Sequence, residues 1–226
     1  MGGAIATECR LVNHYAVFVV QTEDAVYQDR IVKMGWTPSS DAVFMRRLDA
    51  GPNVERIFQN FSRHLVEMIE QSARLRPVAW DEALAKFARR AHGTGLRWWV
   101  YGSVALAVRG LDVSPGDVDL AVDDPNLAAT IMQDCLVEPV TRFEGWVADW
   151  GGRAFCGALL EWIADAHPTQ AEPPHEQEPR AAGWLEEYEW RGLRIPVPNL
   201  ALALAVAEQR GLMERAQLIR RAMKDG

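Results

Sequence analysis

The sequence predicts an α+β protein, and two patterns support this class. Short apolar segments of strand length recur along the chain, and segments whose apolar residues repeat every three or four positions lie before and after them. The chain has 226 residues, of which 49% are hydrophobic and 24% are charged. This balance is typical of a globular protein that can bury a core. The length is compatible with one large domain or two small ones.

Composition narrows the classes of partner. The formal net charge is -7, which disfavours broad binding to polyanions and favours a cationic small molecule as the ligand. The longest apolar run, AVFVV, has the length of a strand and lacks the flanks of a signal peptide. We therefore expect a cytoplasmic protein that makes no membrane contact. Cys9, Cys135 and Cys156 are far apart in the sequence and are interpreted as ordinary buried thiols.

The first 50 residues predict a strand, a helix and a second strand. The apolar run YAVFVV precedes a helical stretch that ends near Gly35, and the group Pro-Ser-Ser-Asp at residues 38–41 is interpreted as the turn before the second strand. A unit of this size cannot bury enough apolar surface to persist alone. We therefore expect it to pack on the helix that begins near Val54.

Two amphipathic helices follow this unit. In VERIFQNFSRHLVEMIEQSARL the apolar residues recur at spacings of three and four, and Pro77 ends the run. WDEALAKFARRAH predicts the second helix, where Asp81 and Glu82 suit the positive N-terminal end. The first of these helices and the preceding strand-helix-strand unit together form the N-terminal region.

From Leu96 onward, short apolar segments alternate with glycine and charge. Strands are predicted at LRWWVYG, DVDLAV, VEPV, GWVADW, GALLEWIADA, EEYEW and LRIPV, and helices at SVALAVRGL, at PNLAATIMQDC and in two C-terminal segments that Gly211 separates. The pair Gly151-Gly152 is interpreted as a hairpin turn. Residues 167–183 are rich in proline, glutamate and alanine without periodicity, which predicts a mobile surface loop.

The segment WWVYGSVALAVRGLDVSPGDVDLAV contains the first candidate site residues. Gly102 allows a close backbone approach, and Ser103 lies where a helix begins, so free N–H groups and a hydroxyl favour a phosphate there. Asp117 and Asp119 share one face of the next strand because strand side chains alternate. Paired carboxylates suit Mg²⁺, which completes its coordination with substrate phosphates. This layout predicts phosphoryl transfer.

The Asp-x-Asp pattern also occurs in turns and at exposed strand ends. An apolar strand is a costly place for carboxylates without partners, so we favour a functional pair. The nearby Asp112, Asp123 and Asp124 are interpreted as exposed residues.

Gly102-Ser103, the short helix and Asp117-Val118-Asp119-Leu120 resemble the signature of the polymerase-beta-type nucleotidyltransferase superfamily. The flanking sequence is most similar to its small bacterial antibiotic-nucleotidyltransferase branch, of the lincosamide and aminoglycoside types. ALLEWIADA and the stretch from YEWRGLRIPV to the C-terminus are similar to the C-terminal half of uncharacterised bacterial members. The resemblance implies an accessory region over residues 1–78 and a nucleotidyltransferase domain over residues 79–226.

The resemblance also implies a reaction. Members have a mixed sheet flanked by helices and hold two metal ions, here Mg²⁺, while a substrate hydroxyl attacks the α-phosphate of a nucleoside triphosphate and pyrophosphate leaves. They add a third carboxylate from a neighbouring strand, for which Glu161 and Asp165 are candidates because they share a strand face. We prefer Glu161, in mid-strand, as metal ligand or general base. The alternative is an edge-strand glutamate that faces water.

One departure from the family pattern concerns the triphosphate. Antibiotic-modifying members often have a basic residue or a histidine before the first aspartate, where this chain has Ser114, Pro115 and Gly116. Arg109 is a candidate for that role, although a cation near a helix end is also favourable for structural reasons.

Three functions follow from these residues. The first is transfer of a nucleoside monophosphate to a hydroxyl of a small molecule. The second is the same chemistry on tRNA or protein, as in toxin-like members; RNA is possible through a local basic patch but is disfavoured by the acidic balance. The third is a binding module without catalysis. The sequence does not indicate an oligomeric state.

Overall fold

The computed structural model describes residues 4–143 and 147–225. Its helices and mixed sheets confirm the predicted α+β class. Within these residues the strands form a four-stranded sheet, a five-stranded sheet and a two-stranded hairpin. The first sheet belongs to the N-terminal section, and the second carries the candidate site residues.

The N-terminal section is an antiparallel sheet with one helix. Its elements are β1 (Ile5–Val12), β2 (Tyr15–Thr22), α1 (Ala25–Lys33), β3 (Thr37–Ser40) and β4 (Val43–Asp49), with strand order β1-β2-β4-β3. The predicted strand, helix and strand correspond to β2, α1 and β4. The N-cap of α1 is Asp24, whose side chain accepts hydrogen bonds from the amides of Val26 and Tyr27.

Two strands of this sheet differ from the prediction. The group Pro38-Ser39-Ser40, interpreted as a turn, lies in β3, and β1 had not been predicted. Both are edge strands, and every residue of β3 is exposed. Edge strands tolerate proline and charge because one of their sides faces solvent. The sequence of β3 therefore lacks an apolar face, whereas β1 alternates between half-buried and exposed residues over Ile5–Arg10.

Two long helices follow, α2 (Val54–Ser72) and α3 (Trp80–Ala91). As expected, the N-terminal sheet packs on α2: Phe61 stacks on Trp36 with ring centroids 5.2 Å apart and contacts Phe18 at 5.4 Å. These side chains belong to one apolar core that continues through α3 to Leu120 and Trp162 of the second sheet. The core therefore has no break near residue 78.

The second sheet is mixed. Its elements in chain order are β5 (Trp98–Val100), α4 (Gly102–Val108), β6 (Val118–Val122), α5 (Pro125–Ile131), β7 (Leu136–Arg142), β8 (Ala148–Phe155) and β9 (Leu159–Ala166), and its strand order is β5-β6-β9-β8-β7. β6 and β9 run parallel, and the other neighbours are antiparallel. Of the predicted strand GWVADW, Gly145 and Trp146 lie outside the described residues.

The pair Gly151-Gly152 does not form the predicted hairpin turn. Both glycines lie inside β8, and the chain turns instead at Cys156–Ala158, where Gly157 has a φ of +89°. A Cβ at Gly152 would lie 2.5 Å from the Trp162 ring. The glycine is required by the close approach of this ring to the strand and not by a turn.

The C-terminal part contains a 3-10 helix (Pro179–Trp184), the hairpin strands β10 (Leu185–Trp190) and β11 (Leu193–Pro198), and the helices α6 (Leu200–Gln209) and α7 (Met213–Asp225). As predicted, the last two are separated at Gly211. The segment 167–183 is not a surface loop throughout, because Glu176 and Glu178 are buried. Glu178 accepts hydrogen bonds from Thr169 and His175, which fold the segment back on itself. In the part of the chain that the structure describes, no helix has the length and apolarity to cross a membrane.

Candidate active site

Three carboxylates converge on one face of the mixed sheet. Asp117 lies just before β6, Asp119 lies within β6, and Glu161 lies within β9. One carboxylate oxygen from each residue lies within 4.8 Å of the other two, and all three residues are half-buried. The structure thus brings together the aspartate pair and the third carboxylate that were selected from the sequence.

The sheet register explains this convergence. Asp119 is the direct partner of Glu161 across the parallel pair β6–β9, and directly opposed residues project to the same face. Glu161 is in turn the partner of Arg153 on β8, and Arg153 is the partner of Glu138 on β7. Four adjacent strands therefore place a row of charged side chains on one face of the sheet.

The cation in this row is shared between two carboxylates. Arg153 donates a hydrogen bond from Nε to Glu161, and its Nη1 lies 3.1 Å from Glu138 Oε1. Glu138 is only 6% exposed and also pairs with Arg46 of β4 at 3.2 Å. A network of charges therefore runs from the carboxylate cluster to the N-terminal sheet.

The surroundings of the carboxylate cluster oppose the ionisation of its two aspartates. Burial, assisted by the charge of Glu161, raises the pKa of Asp117 to about 6. Burial and the charges of Asp117, Glu161 and Glu176 raise the pKa of Asp119 well above its ordinary value. The same two effects, burial first, raise the pKa of Tyr101, which lies beside the cluster. A cation would offset the repulsion that the carboxylates exert on one another.

The backbone at Gly102, which was predicted to bind a phosphate, binds a carboxylate of the protein itself. Gly102 has a φ of +69°, in the region that favours glycine, and its N–H donates to Glu176 Oε2 at 3.2 Å. A Cβ at Gly102 would lie 3.3 Å from Asp119 Oδ2, so the backbone approaches the cluster closely. Trp99 Nε1 donates to the Glu176 carbonyl at 2.7 Å and anchors the segment. Ser103 lies in the first turn of α4, half-buried.

The Arg109 side chain is buried and makes its contacts within the protein. Its side chain is 7% exposed and pairs with Glu186, and its Nη2 donates to the Pro198 carbonyl at 2.7 Å. The guanidinium also lies over the Tyr188 ring. These contacts join α4 to the β10–β11 hairpin, and they differ from the phosphate contact that the sequence suggested for Arg109.

The two candidates for the third carboxylate are separated by the structure. Asp165 is exposed, has a φ of +54° and lies near the end of β9. It lines a cavity different from the one that Glu161 borders. Although Glu161 and Asp165 share a period-two face in sequence, the positive φ of Asp165 departs from strand geometry. Glu161 alone of the two joins the aspartate pair.

A cavity of about 830 Å³ opens beside the cluster. Asp117, Glu161 and Arg153 border it on the side of the mixed sheet. The opposite walls come from α2 and from the N-terminal sheet, which contributes Met45 and Arg46. The N-terminal section thus forms part of the candidate site.

Several site residues had not been selected from the sequence. These are Tyr101, Glu138, Arg153, Glu176 and, from the N-terminal sheet, Arg46. Glu138 and Arg153 are charged residues inside apolar strand segments, which was the signal that selected Glu161. Glu176 gave no such signal, because its segment has no periodicity.

The donor set of the cluster fits a hard divalent cation. Three carboxylates and no sulfur or imidazole ligand are the pattern that Mg²⁺ or a similar ion prefers in proteins, with waters or substrate oxygens completing the shell. Asp117, Asp119 and Glu161 are the residues that would hold the ion. Glu161 also has Arg153 as a partner, so its carboxylate would be shared between two cations.

No protein-family model matches the chain, and no curated protein matches it. Among solved structures it is similar to a candidate nucleotidyltransferase from Thermotoga maritima, with 21% identity, a TM-score of 0.49 and coverage of 64% of this chain and 92% of that chain. It is also similar to ANT(2'')-Ia in complex with adenylyl-2''-tobramycin, with 13% identity, a TM-score of 0.42 and coverage of 63% and 88%.

A solution structure of the antibiotic-resistance factor ANT(2'')-Ia is similar at 12% identity and a TM-score of 0.37, with coverage of 64% of this chain and 90% of that chain. All three TM-scores are below 0.5, so these similarities carry no argument about activity or substrate. We therefore base the proposed function on the geometry of the site.

Proposed function

We propose that this protein is a metal-dependent nucleotidyltransferase that moves a nucleoside monophosphate from a nucleoside triphosphate to a hydroxyl of a small molecule. The observation that carries the proposal is the convergence of Asp117, Asp119 and Glu161 from two neighbouring strands, with oxygens within 4.8 Å, beside a cavity of about 830 Å³. Such a cavity has the size of small-molecule sites, which span roughly 300–1,000 Å³. This supports a small acceptor over tRNA or protein.

A divalent cation held by the three carboxylates would stabilise the negative charge that develops on the transferred phosphoryl group. The protein's own groups orient the reactants. The side chains of the cluster and the Gly102 backbone lie at one end of the mixed sheet, and the cavity lies beside them. An acceptor in the cavity therefore presents its hydroxyl to the carboxylates.

The reaction forms one bond and breaks one. The acceptor oxygen forms a bond to the α-phosphorus, and the bond from that phosphorus to the bridging oxygen of the β-phosphate breaks, so pyrophosphate leaves. The hydroxyl proton passes to a carboxylate or to water. Glu161 suits this role because it borders the cavity, and its pairing with Arg153 holds the carboxylate in place.

The negative charge of a triphosphate has to be balanced by cations, and two arginines lie beside Gly102. Arg210 and Arg215 line a small crevice together with Gly102 and Glu176. Arg210 lies close enough to Asp119 to lower its pKa against the larger effect of burial. We assign these arginines the role that the sequence had suggested for Arg109.

A second candidate function is a binding module without catalysis. It is favoured by the internal pairing of the site, since Glu161 is bound by Arg153 and the Gly102 amide is bound by Glu176. Such pairing satisfies the groups without a ligand. The high pKa of Asp119 favours the catalytic reading, because a purely structural cluster gains nothing from carboxylates that repel one another.

The decisive experiment is pyrophosphate release. The full chain is incubated with each of the four common nucleoside triphosphates, with and without Mg²⁺, and with a panel of hydroxylated small molecules that includes cationic ones. We expect release that requires both Mg²⁺ and an acceptor, together with a product whose mass equals the acceptor plus one nucleoside monophosphate.

Asp119→Asn serves as the inactive variant and Asp112→Asn as the matched control, since Asp112 is exposed and lies outside the cluster. We expect Asp119→Asn to lose at least a hundredfold in rate, roughly what the loss of one electrostatic contact to a transition state costs. Equal rates in the two variants would refute the proposal. Mg²⁺-dependent nucleotide binding without any turnover would favour the binding module instead.

A further inference from the structure

Two cysteines that are far apart in the sequence meet at one end of the β7–β8 strand pair. Cys135 lies immediately before β7, and Cys156 lies immediately after β8. The two strands are antiparallel, and the Phe155 amide donates to the Cys135 carbonyl at 2.8 Å. Cys156 directly follows the residue that donates to Cys135, so the two cysteines lie side by side at this end of the strand pair.

A lysine also points at this pair. Lys86 of α3 places its Nζ 3.0 Å from Cys135 Sγ. The same ammonium group lies 3.8 Å from Asp134 Oδ2, but that carboxylate is already held by Arg90. A cation at hydrogen-bond distance from a sulfur stabilises the thiolate over the thiol.

The surroundings of the two thiols shift their pKa values in opposite directions. The hydrogen bond from Cys156 and the contact with Lys86 lower the pKa of Cys135 to about 6, although burial opposes them. The pKa of Cys156 is raised, first by its hydrogen bond to Cys135 and next by burial. The contact with Lys86 thus favours the thiolate on Cys135, and the neighbouring Cys156 retains its proton more strongly.

From this geometry we infer that Cys135 and Cys156, with Lys86, form a peroxide-sensitive dithiol site that closes reversibly to a disulfide. The Cys135 thiolate attacks one oxygen of hydrogen peroxide, the O–O bond breaks, and hydroxide leaves to give the sulfenic acid of Cys135. The sulfur of Cys156 then attacks that sulfur, the S–OH bond breaks, and water leaves after the Cys156 proton is transferred. The peroxide is reduced, and the two thiols are oxidised.

The position of the pair connects this chemistry to the rest of the molecule. A disulfide would join the start of β7 to the end of β8, the two strands that carry Glu138 and Arg153. Cross-linking two points separated by about 20 residues restricts the unfolded chain and stabilises the folded state. The oxidised protein should therefore melt several degrees higher than the reduced protein.

The inference does not depend on the proposed function and is tested on the full chain without substrate. Reduced protein is treated with hydrogen peroxide, alkylated, digested and examined by mass spectrometry under non-reducing conditions. We expect one cross-linked peptide pair that contains Cys135 and Cys156, its loss on reduction with a dithiol, and alkylation of Cys9 before and after peroxide.

Three variants sharpen the test. Lys86→Gln should slow disulfide formation about tenfold because the thiolate is less stabilised, whereas Lys33→Gln, an exposed lysine that pairs with Asp29, should not change the rate. In Cys156→Ser the sulfenic acid of Cys135 should persist and react with dimedone, since its resolving thiol is absent. A normal thermal transition confirms that each variant is folded.

Three results would overturn the inference, and none depends on a variant. The first is that both thiols of the wild-type protein stay open to alkylation after peroxide treatment. The second is oxidation of Cys135 to a sulfinic acid without a cross-link, and the third is oxidation of Cys9 at the same rate as Cys135. Each would show that Cys135 and Cys156 do not act as a dithiol pair.

Discussion

At the scale of single residues, the site is organised by a row of charges that spans four strands. Asp119 and Glu161 are direct neighbours in the sheet, and Arg153 follows on the next strand. The arginine keeps Glu161 and Glu138 in fixed positions and satisfies both. Burial raises the pKa values of Asp117 and Asp119, although the charges of Arg153 and Arg210 oppose this shift. The two aspartates are the positions at which a metal ion would stabilise the protein most.

The first prediction follows from that difference. Asp119→Asn removes a charge that burial and neighbouring carboxylates oppose, so the metal-free protein should melt at the same temperature as wild type or higher. A ligand at a hundredfold excess over its Kd stabilises the fold by about 2.7 kcal/mol, and the variant should lose most of the stabilisation by Mg²⁺ and nucleotide. Thermal unfolding of both proteins, with and without Mg²⁺ and nucleotide, measures this.

The control for this prediction is Asp112→Asn, an exposed position in the segment between α4 and β6. It should keep the full response to Mg²⁺ and nucleotide. A structural aspartate at position 119 predicts the opposite pattern, in which the metal-free protein loses about 1–3 kcal/mol through broken hydrogen bonds. An equal ligand response in wild type and Asp119→Asn would exclude Asp119 as a metal ligand.

The second prediction concerns Glu176 and pH. Burial, as the largest effect, raises its pKa from 4.5 to about 6 in the folded protein. A carboxyl with a raised pKa holds its proton more tightly when folded, so stability falls as the pH rises from 4.5 to about 6, and the full loss remains above that. The shift corresponds to about 2 kcal/mol. Glu176→Gln keeps an acceptor for the Gly102 amide and removes this loss.

We therefore expect Glu176→Gln to be more stable than wild type by about 2 kcal/mol at pH 7.5, and the two proteins to be nearly equal at about pH 4. Urea unfolding at both pH values measures the difference. Glu187→Gln, at an exposed position of β10, is the matched control and should show no such pH dependence. A Glu176→Gln protein that is less stable at both pH values would contradict the prediction.

At the scale of elements, β8 shows how close packing restricts a strand. Trp162 of β9 is 1% exposed and lies across Gly152, where its ring leaves no room for a side chain. Gly152 is the direct partner of Trp162 across the β8–β9 pair, so a side chain at position 152 would project to the same face as the ring. Here a glycine lets the largest buried side chain of the described residues lie flat on the sheet.

The third prediction tests this packing. Gly152→Ala places a Cβ 2.5 Å from Trp162 Cζ2 and 2.6 Å from Cε2, so the ring or the strand must move, at a cost of about 1–3 kcal/mol. Gly51→Ala is the control because nothing lies within 4 Å of its added Cβ, and its effect should stay within about 0.5 kcal/mol. Urea unfolding compares them. Similar losses in both variants would contradict the proposed packing.

At the scale of the whole molecule, the N-terminal sheet and the mixed sheet share one core. Phe18 is fully buried and contacts Phe58 and Phe61 of α2, with ring centroids 5.0 Å and 5.4 Å apart. On its other side α2 packs on β7, where Asn60 donates to the Leu136 carbonyl at 3.1 Å. The helix therefore lies between the two sheets and belongs to both.

The fourth prediction is that the N-terminal section cannot be removed. Deletion of residues 1–50 would expose the face of α2 that contains Phe61 and Leu65, both buried in the intact chain, and the remaining protein should lose its cooperative thermal transition. In the intact chain, Phe18→Ala should lower the stability by about 3–5 kcal/mol in a single transition. A separate early transition, or a folded fragment released by limited proteolysis, would show that the section is independent.

The proteolysis prediction for residues 167–183 follows from the same view. Mobile surface loops are preferred sites of proteolysis, but Glu176 and Glu178 within this segment are buried. Glu172 and Pro179 to Arg180 are exposed, so cleavage, if the segment is mobile, should occur at those ends and not at the centre. Mass analysis of the first fragments distinguishes these positions.

The sequence by itself determined the α+β class, most helices and strands, and the three carboxylates. These features depend on residues that are close to one another in the sequence. The period of the apolar residues and the turn residues predicted the helices and strands. The alternation of strand side chains put Asp117 with Asp119 and favoured Glu161. The edge strand β3 gave no such signal, because all of its residues are exposed and it needs no apolar face, whereas the alternation in β1 was not recognised as a strand.

Only the tertiary structure decided which distant residues meet. The strand order β5-β6-β9-β8-β7 places Glu161 beside Asp119 and brings Arg153 and Glu138 into the same row. It also directs Arg109 away from the site and Glu176 onto Gly102. Local periodicity carries no information on strand order, which is set by the packing of the sheet against helices distant in the chain. For that reason the residue types of the site could be derived from the sequence, whereas their partners could not.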